Sequence, residues 1–451
     1  MLKIQKIFSY VVRNIKERDV LSKYREIKDL PYESKERIEQ RQLHKMNKIL
    51  NYAFEHVPYY RTLLKKSGLV KNNRIEIESL EELGQIPFLT KEIIGAEQSS
   101  LHSDDIKKRG GYKNSSGGST GVPTIFMQDR EYQVNNLANF ALALQWRGCG
   151  LYDSYIKLWG AERDTFAGTK PLKYRIIEFL LNAKVLNSFS MTEEDMKSYI
   201  ETLNSDKPCV VIAYAQSIYE LADFAEKNGI FVEKQHAIHT SAGTLYDFMR
   251  KKIEKVFQCP VFNHYGSREL GSIATECSAH NGLHIMNEQV YVEIVDKNGN
   301  ICAPGEEGEI VITTLENFSM PLIRYKIGDV ASMQKFEKCS CGCNYPKLEK
   351  VVGRTVDIFK TEDGKRIDGE YFTHLLYFIE GIKQFQVIQE TYTKIVYKMV
   401  VQSQIEKDVL NDIASKTKKV MGEKCEVIFE FVDHIPKTKT GKYLYTISKL
   451  S

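Results

Sequence analysis

No stretch of the chain approaches the roughly 18 consecutive apolar residues of a membrane-crossing helix. The N-terminal residues also lack the apolar core and small-residue cleavage site of a secretory leader. Neither a transmembrane segment nor export is expected, and the cytoplasm is the expected compartment. An excess of one charge is missing as well: 63 Lys and Arg face 59 Asp and Glu, a formal net charge of +4. Nucleic acid as a partner would leave a strongly basic footprint, so none is expected. Nine cysteines among 451 residues are odd in number and sparse, which argues against a disulfide framework. Internal repeats and low-complexity tracts are absent.

What remains is a globular composition, 42% hydrophobic with 25 Tyr and 21 Phe, in a chain too long for one ordinary core. The sequence reads as α/β. Met1 to about Leu63 forms a helical N-terminal extension, in which Ile4, Ile7, Phe8, Val11 and Ile15 recur at helix spacing with Lys3, Lys6, Arg13, Lys16 and Arg18 between and beyond them. Such a segment docks on its own domain or lies on a membrane surface, and docking is the favoured reading. The run Pro208 to Tyr214 has the character of a buried strand, with a helix over Ile218–Lys227. Val290–Val295 and Gly308–Thr314 alternate like antiparallel strands, with turn signals at Asn298-Gly299 and Pro304-Gly305. From about Arg354 the texture changes to strands at Phe385–Ile388, Lys394–Val401 and Glu426–Phe431 around a helix at Ile405–Val420. The spacing predicts a large N-terminal domain over 1–353 and a small α+β domain over 354–451.

The most informative segment is Ser115-Ser116-Gly117-Gly118-Ser119-Thr120-Gly121. Glycines let a backbone approach a ligand closely, successive N–H groups form a nest for phosphate oxygens, and hydroxyls add donors. A flexible polar loop has the same composition, and no Lys follows the last glycine as a P-loop requires. Four more motifs follow. His264-Tyr265-Gly266-Ser267-Arg268-Glu269 offers an aromatic ring to stack on a base and a carboxylate for Mg²⁺, a hard cation that prefers oxygen. Arg324-Tyr325-Lys326-Ile327-Gly328-Asp329 ends in a carboxylate suited to a ribose diol. Gly353-Arg354-Thr355-Val356-Asp357 marks the change of texture. Pro436-Lys437-Thr438-Lys439-Thr440-Gly441-Lys442 places a lysine after a flexible glycine. Singly, each reads as an ordinary turn or a solvated basic face.

In this order the motifs resemble those of the adenylate-forming superfamily of acyl-CoA synthetases, peptide-synthetase adenylation domains and luciferases. Within it the chain looks like the phenylacetate–CoA ligase and CapK-like branch, to which His56-Val57-Pro58-Tyr59-Tyr60-Arg61 and Cys339-Ser340-Cys341-Gly342 are also similar. The resemblance runs from about Leu50 to Leu444. It implies the adenylate-forming fold, a large domain of mixed sheets and helices with a small mobile α+β domain, and an enzyme that uses ATP and Mg²⁺. By that resemblance Ser115, Ser116, Gly117, Gly118, Ser119, Thr120 and Gly121 wrap the β- and γ-phosphates. Tyr265, followed by Gly266, stacks on adenine and Glu269 ligates Mg²⁺. Asp329 holds the ribose and Arg354 contacts the nucleotide. Lys442 reaches the carboxylate and the α-phosphate. The acid pocket is expected around Tyr214, Ser241, Ala242, Gly243 and Asn263. Val356 stands where the family often has Asp or Lys, which leaves the hinge residue open.

Cys339, Cys341 and Cys343 lie within five residues, and Cys277, His280 and His284 follow the adenine motif. Thiolates and imidazole suit tetrahedral Zn²⁺, and some members of the branch carry zinc at matching positions. The expected ligands are Cys277, His284, Cys339 and Cys341, with Cys343 or His280 as substitutes, in a structural site. Cys149, Cys209, Cys259, Cys302 and Cys425 read as packing. The leading functional reading is a ligase that activates a carboxylic acid as its adenylate and passes the acyl group to CoA, or to an amine or carrier as suggested for CapK-like proteins of surface-polysaccharide pathways. The other readings are a nucleotide-binding homologue without catalysis and a zinc-knuckle interaction module. The family includes homodimers, and composition does not decide that state here.

Overall fold

The computed structural model describes residues 17–115, 124–150, 152–159, 178–179, 182–188, 191–354, 358–376, 379, 381–435 and 445–450. They form two compact units. One comprises residues up to Lys350, and the other runs from Val351 together with Gly328–Ala331.

Eleven strands form one mixed sheet, all of it from the larger unit except Gly328–Ala331 of β10 and Val351–Arg354 of β11. In chain order these are β1 Tyr155–Trp159, β2 Ala183–Asn187, β3 Val210–Tyr214, β4 Ile238–Ser241, β5 Val261–Ser267, β6 Gly271–Glu276, β7 Leu283–Ile285, β8 Val290–Val295, β9 Glu307–Thr314, β10 Tyr325–Met333 and β11 Lys347–Arg354. Their spatial order is β8-β9-β10-β11-β7-β6-β5-β4-β3-β1-β2. The strands β1 to β5 are mutually parallel. The β5–β6, β6–β7, β7–β11 and β8–β9 pairs are antiparallel, so the switch of texture read from the sequence near Val290 begins earlier, at β6.

Parallel strands need crossover connections, and helices supply them. Three helices, Glu193–Asp206, Ala215–Lys227 and Asp247–Phe257, separate β2, β3, β4 and β5 in the chain. The middle one buries Ile218, Leu221, Ala222 and Ala225, the spacing of one apolar helix face. These pack with Tyr199, Ile200 and Leu203 of the first helix, Ile253 and Phe257 of the third, and Val211 and Ala213 of β3. The first helix starts at a capping box in which Thr192 and Asp195 satisfy each other's backbone donors. The described part of the N-terminal extension is helical at Arg18–Ile27, Lys35–His56 and Pro58–Lys66. The last break falls at Pro58, which cannot donate to the preceding turn but suits a first helical position. Residues 1–16 lie outside the described residues. No described helix is long and apolar enough to cross a membrane.

Two ion networks fasten the extension and a neighbouring loop to the sheet. Lys45 reaches both Glu288 and Glu316, at 2.9 and 2.6 Å, and Arg41 reaches Glu288 at 2.9 Å. Arg324 is 3% exposed, pairs bidentately with Glu293 at 2.9 and 3.2 Å, and donates to the Ile86 carbonyl at 2.7 Å. Its own backbone sits at φ +50, so the buried guanidinium holds a residue in a conformation that L side chains rarely adopt.

The smaller unit carries a four-stranded sheet and the helix Lys407–Met421. Its strands are β12 Ile382–Thr391, β13 Lys394–Val401, β14 Glu426–Phe431 and β15 Thr446–Ser448, in the order β14-β13-β12-β15. The helix begins at Lys407 and not at Ile405, because Glu406 is extended and serves as the N-cap. Tyr397 and Thr417, both buried, hydrogen-bond at 2.6 Å across the helix–sheet interface.

Replacing Arg324 by Ala leaves Glu293 charged, buried and unpaired, which costs about 3–5 kcal/mol. Urea melts of the variant are expected to show that loss. An unchanged midpoint would contradict the role given to this pair.

Candidate active site and metal cluster

In open α/β sheets ligands bind beyond the carboxyl ends of the parallel strands. Tyr214 closes β3 and Ser241 closes β4, opposite each other in register. Ala242 (φ +50) and Gly243 (φ +117) turn the chain immediately beyond Ser241. Asn263 lies on β5 beside Thr240, and its N–H donates to Glu276 at 2.8 Å. Tyr265 follows two residues on. The structure therefore brings all five acid-pocket candidates to the level at which β3 and β4 end, Asn263 lying on β5 beside that level. Trp159, at the end of β1, adds a ring 4.2 Å from that of Tyr214. Only its position at a strand end could have singled it out.

The Tyr265–Glu269 motif lies on β5 and the turn into β6. That turn is fixed by polar side chains that carry no local sequence signature. Gln128 Nε2 donates to the carbonyls of Arg268 (2.8 Å) and Glu269 (3.3 Å). Gln289 Nε2 donates to the Leu270 carbonyl at 2.7 Å, and Asn136 Oδ1 accepts from the Ser272 N–H at 3.0 Å. The turn needs Gly271, which sits at φ +69; a Cβ there would stand 2.2 Å from Asn136 Oδ1 and 2.4 Å from Gln289 Nε2. Gln128 belongs to a hairpin of Tyr112–Ser115 with Ile125–Gln128, and it accepts from Asn114 at 3.0 Å. This hairpin brackets the glycine-rich segment, so Ser115 and the Glu269 turn are joined through one glutamine. Glu269 is buried.

Ser116, Gly117, Gly118, Ser119, Thr120 and Gly121 lie outside the described residues, as do Val356 and Lys442. Asp329 lies on β10 after Gly328, which takes φ +91. Arg354 is the last residue of β11, and its side chain lies outside what is described.

The metal-type side chains converge. Cys277 follows β6, His284 lies on β7, and Cys339 and Cys341 sit in the loop between β10 and β11. Their ligand atoms all lie within 4.8 Å of one another. Thiolates about 2.3 Å from a tetrahedral zinc stand roughly 3.8 Å apart, and a thiolate and an imidazole nitrogen roughly 3.6 Å apart. The Cys277 and Cys339 sulfurs are 3.7 Å apart, and Cys341 Sγ is 3.5 Å from His284 Nε2. The other His284 nitrogen, Nδ1, meets the Tyr345 carbonyl at 2.9 Å. As the donor in that bond, it leaves Nε2 with its lone pair toward the sulfurs. Gly342, at φ +84, gives the tight turn between the cysteines, with its N–H on the Cys339 carbonyl at 2.9 Å. The donor set and its spacing thus fit zinc. Cys343 packs instead with Ile38 and Tyr345, and His280 turns to Glu276 at 3.3 Å.

Behind β4 and β5 lie two buried imidazoles, His239 and His264, with ring centroids 4.7 Å apart. Burial, reinforced by the Arg147 guanidinium, pushes His264 down to about 3 and His239 well below its ordinary value. Both are bases whose folded-state pKa is depressed. The unfolded chain takes up their protons near pH 6.5 while the folded one does not, so stability is lost as pH falls below that value, by up to about 1.4 kcal/mol per pH unit for each group. Melting temperature is expected to fall between pH 7 and 5.5, and the fall to be shallower in His264→Asn. Equal slopes in the two proteins would rule out this assignment. Gly271→Ala is expected to cost about 1–3 kcal/mol through backbone strain, and to impair nucleotide binding at the displaced turn, both readable by melts with and without ATP.

Comparison with known proteins agrees with the fold. Residues 359–449 match the family model described as the CapK C-terminal domain. The chain is 26% identical to protein CapK of Staphylococcus aureus, over 89% of this chain and 87% of that one. It is 25% identical to a phenylacetate-coenzyme A ligase of Thermus thermophilus, over 74% and 73% respectively. A crystal structure of 2-hydroxyisobutyryl-CoA ligase in a postadenylation state superposes with a TM-score of 0.62 at 18% identity, covering 91% of this chain and 90% of that one, and so shares its fold. These similarities support a place in the adenylate-forming superfamily, beside CapK and the phenylacetate–coenzyme A ligases.

Proposed function

We propose that this enzyme activates a carboxylic acid with ATP, releasing pyrophosphate, and transfers the acyl group from the adenylate to CoA. The observation that carries this reading is the grouping of Tyr214, Ser241, Asn263, Tyr265 and Glu269 at the carboxyl ends of β3 to β5, beside the hairpin that brackets the glycine-rich segment. In this reading Ser115–Gly121 wraps the β- and γ-phosphates and Tyr265 stacks on adenine. Glu269 holds Mg²⁺, Asp329 the ribose, and Arg354 the nucleotide. Trp159 and Tyr214 give the acid pocket an aromatic wall.

The chemistry sets what these groups must do. A carboxylate attacking an α-phosphate brings two anions together. Mg²⁺, where bound, offsets that repulsion and draws charge onto the departing pyrophosphate. Lys442 does the same from the protein side, at the oxygens where charge grows in the transition state, which makes it worth more there than in the ground state. Lys442→Ala is expected to slow adenylation ~10²–10³-fold, on the order of 3–4 kcal/mol. Pyrophosphate release at the wild-type rate would remove Lys442 from the mechanism.

A second reading of the acceptor, in which the acyl group passes to an amine or carrier, draws support from a stretch of 143 residues that is 29% identical to an indoleacetate–lysine synthetase of Pseudomonas savastanoi, whose name gives an amine acceptor. A panel of aryl, aliphatic, hydroxy and amino acids, assayed for pyrophosphate release with and without CoA, separates the two. Release that depends on one acid and rises with CoA supports the thioester. Acid-dependent release indifferent to CoA supports the other acceptor.

Cys277, His284, Cys339 and Cys341 would hold a structural zinc. Three thiolates and Zn²⁺ leave a net charge of −1, and the buried Arg147, which feels the Cys277 sulfur, offers a compensating charge. With four protein ligands no position is open for substrate. Elemental analysis is expected to find about one zinc per chain, lost together with stability in Cys339→Ser. Metal-free protein that folds normally would contradict the site.

A further inference from the structure

Cys149 and Cys209 were expected to serve only as packing. Both do pack, with Leu144, Val210, Ile212 and Phe262, on one face of the parallel strands. Yet their sulfurs lie 2.7 Å apart, across 60 residues of chain. Two unbonded sulfurs do not rest at that separation, and His236 beside them makes the group look at first like a second metal cluster. The distance decides against a metal. Two thiolates on one zinc stand roughly 3.8 Å apart, as Cys277 and Cys339 do at 3.7 Å. The Cys149–Cys209 pair is more than an ångström closer, on the way to the disulfide length of about 2.05 Å.

We propose that Cys149 and Cys209 form a reversible disulfide. The setting suits one. Cys149 follows the helix Arg130–Gln145, and Cys209 precedes β3, with its N–H on the Ser154 carbonyl at 2.9 Å. The Cys149 sulfur also faces the Cys209 carbonyl at 3.1 Å. Cys149 is buried and Cys209 half-buried, which makes Cys209 the sulfur that an oxidant meets. A peroxide oxidises it to the sulfenic acid, with loss of one water. The Cys149 thiol then attacks that sulfur, a second water leaves, and the S–S bond forms. The peroxide O–O bond accepts the electron pair and the two thiol protons end in water. A small dithiol reverses the step by exchange. The bridge ties the helix end to the start of β3, the strand whose far end carries Tyr214, and closes the intervening segment into a loop.

The test treats the full-length protein with a small excess of hydrogen peroxide, blocks remaining thiols by alkylation, and maps peptides by mass spectrometry. The expected product is a Cys149 peptide linked to a Cys209 peptide, absent after dithiothreitol. The oxidised protein is also expected to melt several degrees higher, as a loop-closing bridge should make it, and Cys209→Ser should lose that rise. Independent alkylation of both cysteines after peroxide, or their separate conversion to sulfinic acids, would overturn the proposal. So would a second equivalent of bound zinc that disappears in Cys209→Ser, which would make the pair a metal site.

Discussion

The site depends on one tight turn, from Ser267 to Gly271, where β5 reverses into β6. Its backbone runs so close to Asn136 and Gln289 that a methyl group at position 271 has no room. That closeness lets Gln128, Asn136 and Gln289 hold the turn by its own carbonyl and N–H groups. A carboxylate that is to hold a cation must be fixed before the cation arrives, because reorganising it at the moment of reaction would cost part of the electrostatic stabilisation. Glu269 sits on this braced turn. Its brace also reaches the hairpin that leads into and out of the glycine-rich segment, so the proposed phosphate loop and cation ligand share one support.

A second brace lies beyond the other end of β6. Cys277 leaves β6, His284 belongs to β7, and Cys339 and Cys341 come from the loop before β11. The short strand β7 pairs with β6 over three residues and with β11 over two, too few for stability on its own. A metal at their junction would replace hydrogen bonds that the ladder lacks. The support continues outward: His284 meets the Tyr345 carbonyl, Tyr345 OH donates to Glu288 at 3.1 Å, and Glu288 is held by Arg41 and Lys45 of the helix Lys35–His56. One chain of contacts thus runs from the cluster to the N-terminal helices.

Much of this was legible in the sequence because it is local. The strand at Val290–Val295, the apolar run before Tyr214 and the Cys-x-Cys spacing each report on a few neighbouring residues, and each has its counterpart in the structure, although Val290–Val295 is buried at all but Tyr291 and does not alternate as expected. The adenylate-forming fold was legible from the order of the motifs. The braces were not. Gln128 acts on a turn some 140 residues away, and amides carry no signature that names a distant partner. Three asparagines in the helix Arg130–Gln145, at positions 135, 136 and 139, were the one available hint. Arg324 looked like the start of a nucleotide motif, whereas its side chain is spent on Glu293 and the Ile86 carbonyl. Cys149 and Cys209, each in an apolar context, gave no sign of meeting, since that contact depends on where the fold puts the end of a helix and the start of a strand.

The central claim is that a carboxylate oxygen attacks the α-phosphate. The most direct measurement uses an acid that supports pyrophosphate release, labelled with heavy oxygen in its carboxyl group, and follows the label by mass spectrometry after turnover. An acyl-adenylate delivers one labelled oxygen to AMP when the acyl group is transferred, and that is the predicted result. Label in inorganic phosphate with formation of ADP would place the attack on the γ-phosphate and contradict the account.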